Sequence, residues 1–321
     1  MALGTKSLFV SIKLIECPLV QHRQRQCGVV IVDIGSSKAV QVGRVNAKYG
    51  QQSRGYDRSM TDESGLLPLW DSQVRFHDLA EALPPDWDTN PCFIQVPQGE
   101  RLIVVGPPDP RNGGVDVDGL IARAQNNATS RRLELEWHTW GHDCPPELPR
   151  RLLAAGFVAK PTEPLLMAVA EEVASNAVSP LPDGLHQRPL TPADDVAAIV
   201  TSMSLFCDAD PHLDVELPEA VGQGRNQVLI VEAGNQLVAT GWVVWKPRSS
   251  FAGLAGACTH PDWQRQGIQS RLIVERAKLS RDRGVRYLYS EASTPESERN
   301  LRRLGFKFAT TSTVYVGKFS V

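Results

Sequence analysis

Residues 259 to 269 read Thr259-His260-Pro261-Asp262-Trp263-Gln264-Arg265-Gln266-Gly267-Ile268-Gln269, a polar turn containing one glycine. It joins a small-residue apolar run, Phe251 to Cys258, to a stretch in which Ile268, Leu272, Ile273, Arg276, Ala277 and Leu279 recur at helical spacing until Gly284 stops the helix. The junction matters because the first turn of a helix carries N–H groups with no intrahelical acceptor and a partial positive charge. Together these make a seat for phosphate oxygens.

Upstream, Gln227 to Ala233 and Leu237 to Trp245 are β-rich runs separated by Gly234-Asn235, a dipeptide suited to a tight hairpin. A loop at 246–250 leads into the third run, Phe251 to Thr259. Downstream, Val285 to Ala292 reads as a strand and residues 293–297 as a capped helix start. Glu298 to Leu304 then reads as a short helix closed by Gly305-Phe306, and Thr311 to Phe319 as a last strand.

The turn resembles the acyl-CoA pyrophosphate loop of the GNAT superfamily of N-acetyltransferases, whose pattern is Gln or Arg, two residues, Gly, one residue, then Gly or Ala. Gln264 and Gly267 fill the first two positions, whereas Gln269 stands where the family has a small residue. The order of hairpin, strand, turn, helix, strand, helix, Gly-Phe and strand over about Val228 to Phe319 is also that of the acetyl-CoA half of a GNAT domain. The resemblance implies an α/β (α+β) fold with a mixed, mostly antiparallel sheet flanked by helices.

The closing pattern occurs twice. Leu133 to His138 as a strand, Glu147 to Ala155 as a helix, Gly156-Phe157 and a strand over Leu165 to Val169 repeat the grammar of the last forty residues. Val74 to Leu79 and Arg101 to Val105 read as further strands and Val117 to Gln125 as a helix. In place of a phosphate turn this copy has Gly106 to Gly114, where prolines remove N–H donors and aspartates oppose a diphosphate. The chain thus resembles tandem GNAT proteins with one cofactor site. The expected organisation is a poorly ordered or non-native extension over 1–65, a degenerate GNAT-like domain over 66–173, a linker over 174–185 and a GNAT acetyltransferase domain over 186–321.

Composition sets outer bounds. A chain of 321 residues exceeds a usual single core, and 42% hydrophobic with 22% charged residues is ordinary globular composition. The 34 basic and 36 acidic residues are nearly balanced, which argues against nucleic acid as a main partner. No apolar run approaches the roughly 20 residues of a membrane helix. Six scattered cysteines show no paired metal spacing, so free thiols in a reducing cytoplasm are expected. The first 59 residues carry nine Lys or Arg and three Asp or Glu. A signal sequence, a transit peptide and a natural start at Met60 are all readings of that bias, and the last is favoured because the composition breaks at a methionine.

The resemblance also implies the chemistry. Backbone N–H groups of Arg265, Gln266, Gly267, Ile268, Gln269 and Ser270 would hold the pyrophosphate of acetyl-CoA, the co-substrate, with Gln264 as a further cofactor-binding residue at the head of the loop. Ala257, Cys258 and Thr259 would pair with the pantetheine amides and direct an N–H at the thioester oxygen. Gly253, Ala255 and Ala257 leave room for that approach, although close packing against a helix explains them as well. An amine of pKa about 10 needs a base near neutral pH. Glu291 is the first choice, with Asp208, Asp210 and Glu216 as others, and a water-facing strand-end carboxylate is the plainer account of Glu291.

Where the family places a tyrosine to protonate the departing thiolate, this sequence has Leu301. Ser297 on the same helix could donate instead, or serve as a cap. Cys258 reads as a small buried strand residue sooner than as a nucleophile, since no His-Asp relay surrounds it. The stretch His138 to Cys144 has ligand types, but Gly141 and Pro145-Pro146 interrupt any continuous helical face, so no metal is expected. Arg225, after a glycine-rich loop, could meet an anionic acceptor. Two functions follow: an N-acetyltransferase acting on a primary amine of a small molecule or a peptide N-terminus, or a non-catalytic acyl-CoA-binding or partner-binding protein.

Overall fold

Apolar runs buried on both sides read as central strands, and the chain supplies its best one in the middle, Leu165-Leu166-Met167-Ala168. The computed structural model describes residues 65–75, 94–98, 100–106, 116–143, 145–191, 194–207, 213–246 and 248–317. They form α1 (Leu66–Trp70) with a π turn (Asp71–Arg75), β1 (Ile94–Gln98), β2 (Arg101–Val105), α2 (Val117–Arg131), β3 (Glu134–Trp140), α3 (Leu148–Ala154), β4 (Phe157–Ala159), β5 (Glu163–Val169) and α4 (Ala170–Ala174). There follow β6 (Leu185–Pro189), α5 (Val196–Ser204), α6 (Leu213–Gly222), β7 (Asn226–Ala233), β8 (Gln236–Trp245), β9 (Phe251–Thr259), a 3-10 turn (Pro261–Trp263), α7 (Ile268–Asp282), β10 (Tyr287–Glu291), α8 (Pro295–Arg303) and β11 (Lys307–Gly317).

All the strands share one sheet, in the order β1-β2-β3-β11-β5-β10-β9-β8-β7-β6 with β4 on β11. Only β2 with β3 and β9 with β10 are parallel among these pairs, so the sheet is mixed and mostly antiparallel. Its middle is an exchange. β11, the last strand, lies between β3 and β5, while β5 lies between β11 and β10.

Alternation along the strands separates two packed faces. On one, Ile273, Val274 and Ala277 of α7 pack with Leu166, Ala252, Leu254 and Leu288, joined by Leu301, Leu304 and Phe306. On the other, Val196, Val200 and Met203 of α5 cover Val228, Ile230 and Trp242, and Trp70 and Val74 cover Leu165, Met167, Phe251 and Ala309. In the first half, α2 and α3 place Leu120, Ile121 and Leu152 against Leu102, Leu135 and Trp137.

Several expectations need correcting. Val74 and Arg75 end a π turn where a strand over Val74 to Leu79 was expected, and residues 76–79 lie outside the described ones. The turn is held by Arg75, which is ion-paired to Asp71 at 2.9 Å and Asp143 at 2.8 Å and lies 3.9 Å over the Trp140 ring. That tether, made across the sheet, is not visible in a local pattern. α2 runs on to Arg131, because its stripe continues through Ala124 and Ala128. The linker region begins with the end of α4, and α6 leads up to the glycine-rich stretch before Arg225. The sulfurs of Cys207 and Cys258 are in bonding contact, with Cα atoms 6.4 Å apart, so these two are not the free thiols expected. The extension over residues 1–64 lies outside the described residues.

The two histidines of the His138 to Cys144 stretch are bonded to carboxylates. His142 Nε2 bonds Asp71 at 2.9 Å and His138 Nε2 bonds Glu136 at 3.2 Å. Among the described residues no three His, Cys, Asp or Glu side chains are grouped to hold a metal, and no helix is long and apolar enough to cross a membrane.

Glu136 yields a pH prediction. Burial by itself would raise its pKa, but hydrogen bonds from His138 and Lys160, with their charges, outweigh that and hold it at about 2 instead of 4.5. A lowered folded-state pKa means stabilisation that is complete above the unfolded value and is lost as pH falls from about 4.5 towards 2. Urea unfolding should therefore lose on the order of 3 kcal/mol across that window. Glu136→Gln should flatten the loss; an unchanged pH profile would show that the ion cluster contributes nothing.

Candidate functional site

β9 and β10 run side by side for three residue pairs, Tyr287 with Phe251, Leu288 with Ala252 and Tyr289 with Gly253, and then part. Two side chains fix where. The Tyr289 phenol occupies the space a Cβ at Gly253 would need, and Ser290 Oγ donates to Leu254 O at 2.9 Å, replacing the next ladder bond. Glu291 pairs with Leu165 of β5. From Leu254 onward β9 has β8 as its strand partner among the described residues, and its other edge faces the opening.

Within that edge β9 slips against β8. Thr240 pairs with Cys258 but Trp242 with Ala255, so Gly256 and Ala257 together oppose Gly241. Such a bulge bends and twists its strand. Gly256 takes φ 60°, and a Cβ there would be driven into the Trp242 ring, so the glycine is required twice over. Ala257 is exposed, Cys258 is buried against α5, and Thr259 is half-buried.

The turn that follows ends in an unblocked helix start. Gly267, the N-cap of α7, has φ 80° and no side-chain cap bond, the first turn of α7 holds no acidic residue, and a Cβ at Gly267 would meet nothing within 4 Å. Gln264, Arg265 and Gln266 are exposed. Gln264 Nε2 donates to Thr259 O at 3.2 Å, and Arg265 takes φ 62°, which turns the chain into the helix. Ile268 is buried, so its contribution to any ligand there is its N–H alone. Ser270 Oγ donates to Asn300 Oδ1 at 2.8 Å, and Arg303 reaches both at 2.7 and 2.8 Å, setting a guanidinium beside the helix start. An anion at this place would meet free N–H groups, the helix dipole and a cation.

Gln269 turns away from the opening. Its Nε2 donates to Cys258 O at 2.6 Å, Thr240 O at 3.1 Å and Thr259 Oγ1 at 3.0 Å. The residue expected to crowd a phosphate is stitched to the sheet.

Glu291 stands exposed at the mouth of the opening. On the same face, one step across the sheet, is Glu163 of β5, which pairs with Ser312 of β11. Burial, and then the Glu291 charge, push the Glu163 carboxyl up. Leu301 is buried in the core. Thr294 caps α8 by accepting the Ser297 N–H, so Ser297 is not the cap. Asp208 and Asp210, and the side chain of Glu216, lie outside the described residues. Arg225 lies after α6 within 3.8 Å of Glu219.

Sequence reasoning missed Glu163, Asn300 and Arg303. The last two were findable, three residues apart on one short helix. Glu163 was not, since its place depends on strand pairing across more than a hundred residues.

An open edge on one of two parting strands thus runs directly into a helix N-terminus that carries no side-chain cap. Residues 195–306 match the model described as the acetyltransferase (GNAT) family. Among solved structures the chain is similar to a GCN5-related N-acetyltransferase from Kribbella flavida, at 15% identity and TM-score 0.58 over 73% of this chain and 89% of that one. It is also similar to a tandem GNAT protein from the clavulanic acid biosynthesis pathway, at 14% identity and TM-score 0.53 over 71% and 79%. A third is a GCN5-related N-acetyltransferase from Sphaerobacter thermophilus, at 14% and 0.51 over 70% and 75%. These likenesses are of fold. No curated protein matches the sequence.

Because a side chain at Gly256 faces both a left-handed backbone and the Trp242 ring, Gly256→Ala should lower the unfolding free energy by about 2 to 4 kcal/mol. Urea denaturation of the two proteins measures this, and a difference under about 0.5 kcal/mol would mean the bulge relaxes freely.

Proposed function

We propose that this chain is an N-acyltransferase that moves an acetyl group from acetyl-CoA to a primary amine of a small molecule or of a peptide amino terminus. The observation that carries this reading is the bare, acid-free start of α7 placed directly after the open edge of β9. On it, the diphosphate lies on the N–H groups of residues 265–270, the Gln264 N–H being already bonded to Pro261 O at 3.2 Å, and the pantetheine arm lies along Ala257, Cys258 and Thr259. The thioester carbonyl meets an N–H of the bulge.

The amine nitrogen attacks that carbonyl carbon, the C–S bond breaks, and the thiolate leaves with the electron pair. The amine's proton passes to the Glu163–Glu291 pair, directly or through water. Of the two, Glu163 is the better base because burial, and then the Glu291 charge, raise its pKa. Glu291 then receives the incoming ammonium at the mouth. Ser297 could return a proton to the thiolate, whose intrinsic pKa near 8.5 also lets it leave with water as its acid. The reading keeps the degenerate GNAT-like domain at 66–173, the linker at 174–185 and the acetyltransferase domain at 186–321, with a cytoplasmic setting that supplies acetyl-CoA.

A second reading, a non-catalytic acyl-CoA-binding or partner-binding protein, is favoured by the burial of Leu301 where the family has its acid. Calorimetry with CoA, beside thiol release from acetyl-CoA with a panel of amines, separates the two. Binding with turnover is expected; binding without turnover on every amine selects the second reading, and absence of binding removes both. Gly267→Asp should abolish CoA binding, since it sets bulk and negative charge against the diphosphate. Retained affinity would move the cofactor elsewhere.

The acid limb of kcat/KM should report Glu163. Glu291→Gln removes the like charge that raises the Glu163 pKa, so that limb should shift to lower pH, and Glu163→Gln should erase it. A limb that ignores both changes assigns the base to another group.

A further inference from the structure

Arg276 breaks the apolar stripe of α7 and is nevertheless 1% exposed. The ion pairs among the described residues do not include it. Its hydrogen bonds run to carbonyls: Nε to Leu272 O at 3.0 Å, and one terminal nitrogen to Trp242 O at 3.2 Å and Ala255 O at 3.0 Å. The guanidinium lies flat on Gly241, where a Cβ would stand 2.9 Å from its Cζ. Burial lowers its pKa to about 10, which still leaves it charged at neutral pH. A buried charge without a counter-ion is costly, and an apolar residue would complete the stripe more cheaply.

What Arg276 touches explains its presence. The slip of β9 on β8 lies between the pairs Thr240–Cys258 and Trp242–Ala255. Arg276 binds the carbonyls of the second pair, and Gln269, two turns earlier on the same helix face, binds those of the first. The two side chains thus take up, one at each end, the carbonyls that flank the bulge. A trans peptide holds its C=O and N–H in opposite directions, so fixing Ala255 O on the guanidinium turns the Gly256 N–H away from α7.

We infer that Arg276 and Gln269 are positioning residues that staple the β9 bulge to α7, fixing its amides for the thioester oxygen and setting a buried cation behind that oxygen as it gains negative charge. The catalytic part of this rests on the acyltransferase reading; the staple does not.

The test uses the full chain with Arg276→Met, Arg276→Lys and Gln269→Met. An apolar replacement of a buried charge is often neutral or stabilising. The expected result for Arg276→Met is therefore a kcat lowered about 100- to 1000-fold, the range for loss of an oxyanion contact. KM for acetyl-CoA and CoA affinity should stay within twofold and the melting temperature should be unchanged or higher. Arg276→Lys should recover part of kcat. A folded Arg276→Met protein with wild-type kcat, or one whose kcat falls only as its stability falls, overturns the catalytic part. If Arg276→Met does not fold, the same criteria applied to Gln269→Met decide. Amide hydrogen exchange decides the staple without turnover: faster exchange confined to residues 255–258 in either variant supports it, and unchanged exchange there overturns it. A wild-type chain that binds CoA and acetylates no amine would defeat the acyltransferase reading, with the exchange result still standing.

Discussion

The parting of β9 from β10 after Gly253 and Tyr289 is the constraint on which the site depends. Two parallel strands normally continue until one ends, because each broken ladder bond leaves a polar group to be satisfied. Here the compensation is local. Ser290 Oγ takes Leu254 O, the Tyr289 ring fills the space over Gly253, and the bulge at Gly256 bends β9 off its course. The result is a stretch of backbone, Ala255 to Thr259, whose carbonyls are largely occupied by side chains while one strand edge stays open. That is an unusual state for a strand inside an eleven-stranded sheet, and the helix that follows it is left uncapped as well. Both departures from ordinary satisfaction lie on the same side of the same connection, as expected where local rules yield to function.

The first half of the chain contributes more than a supporting wall. Because β5 sits between β11 and β10, the carboxylate of Glu163 arrives beside Glu291 on a strand that belongs, in sequence, to the other half. The exchange also explains why β5 is so apolar: it is covered on one face by α7 and α8 residues and on the other by Trp70 and Val74. The phosphate turn is local to the second half, but the acceptor side of the proposed site is assembled from both.

How much of this the sequence disclosed follows from the range of each interaction. The hairpin at Gly234-Asn235, the run Phe251–Thr259, the helix ending at Gly284 and the Gly305-Phe306 closure are decided within about a dozen residues, and they were legible with nearly correct ends. The π turn at Asp71–Arg75 is held by Asp143 and Trp140, distant in sequence, and its last two residues, Val74 and Arg75, read locally as the start of a strand. The partnering of Cys207 with Cys258 and of Glu163 with Glu291 is equally non-local. Arg276 was in plain view as a charged residue at a stripe position, but a stripe tolerates one exception at a helix edge, and nothing local says that this one points inward. Gln269 read as an obstacle because the pattern fixes which residue stands there and not which way its side chain turns.

The two ends of that reading meet in α7. Its first turn presents unpaired N–H groups outward, and its inner face carries Gln269 and Arg276 into the sheet. From Gly267 to Arg276 is nine residues, about 13 Å of helix rise. A helix is stiff over that length, so the spacing between the proposed diphosphate seat and the bulge is set by one rigid element and not by loops. Holding two ligand-binding points at fixed separation favours the arrangement in which both are engaged, since no freedom has to be lost when the second contact forms. A charged side chain under the bulge would then contribute in a way an apolar one could not. It ties strand to helix through directional bonds, where apolar packing would let the two slide, and its field acts on whatever charge develops on the far side of the strand.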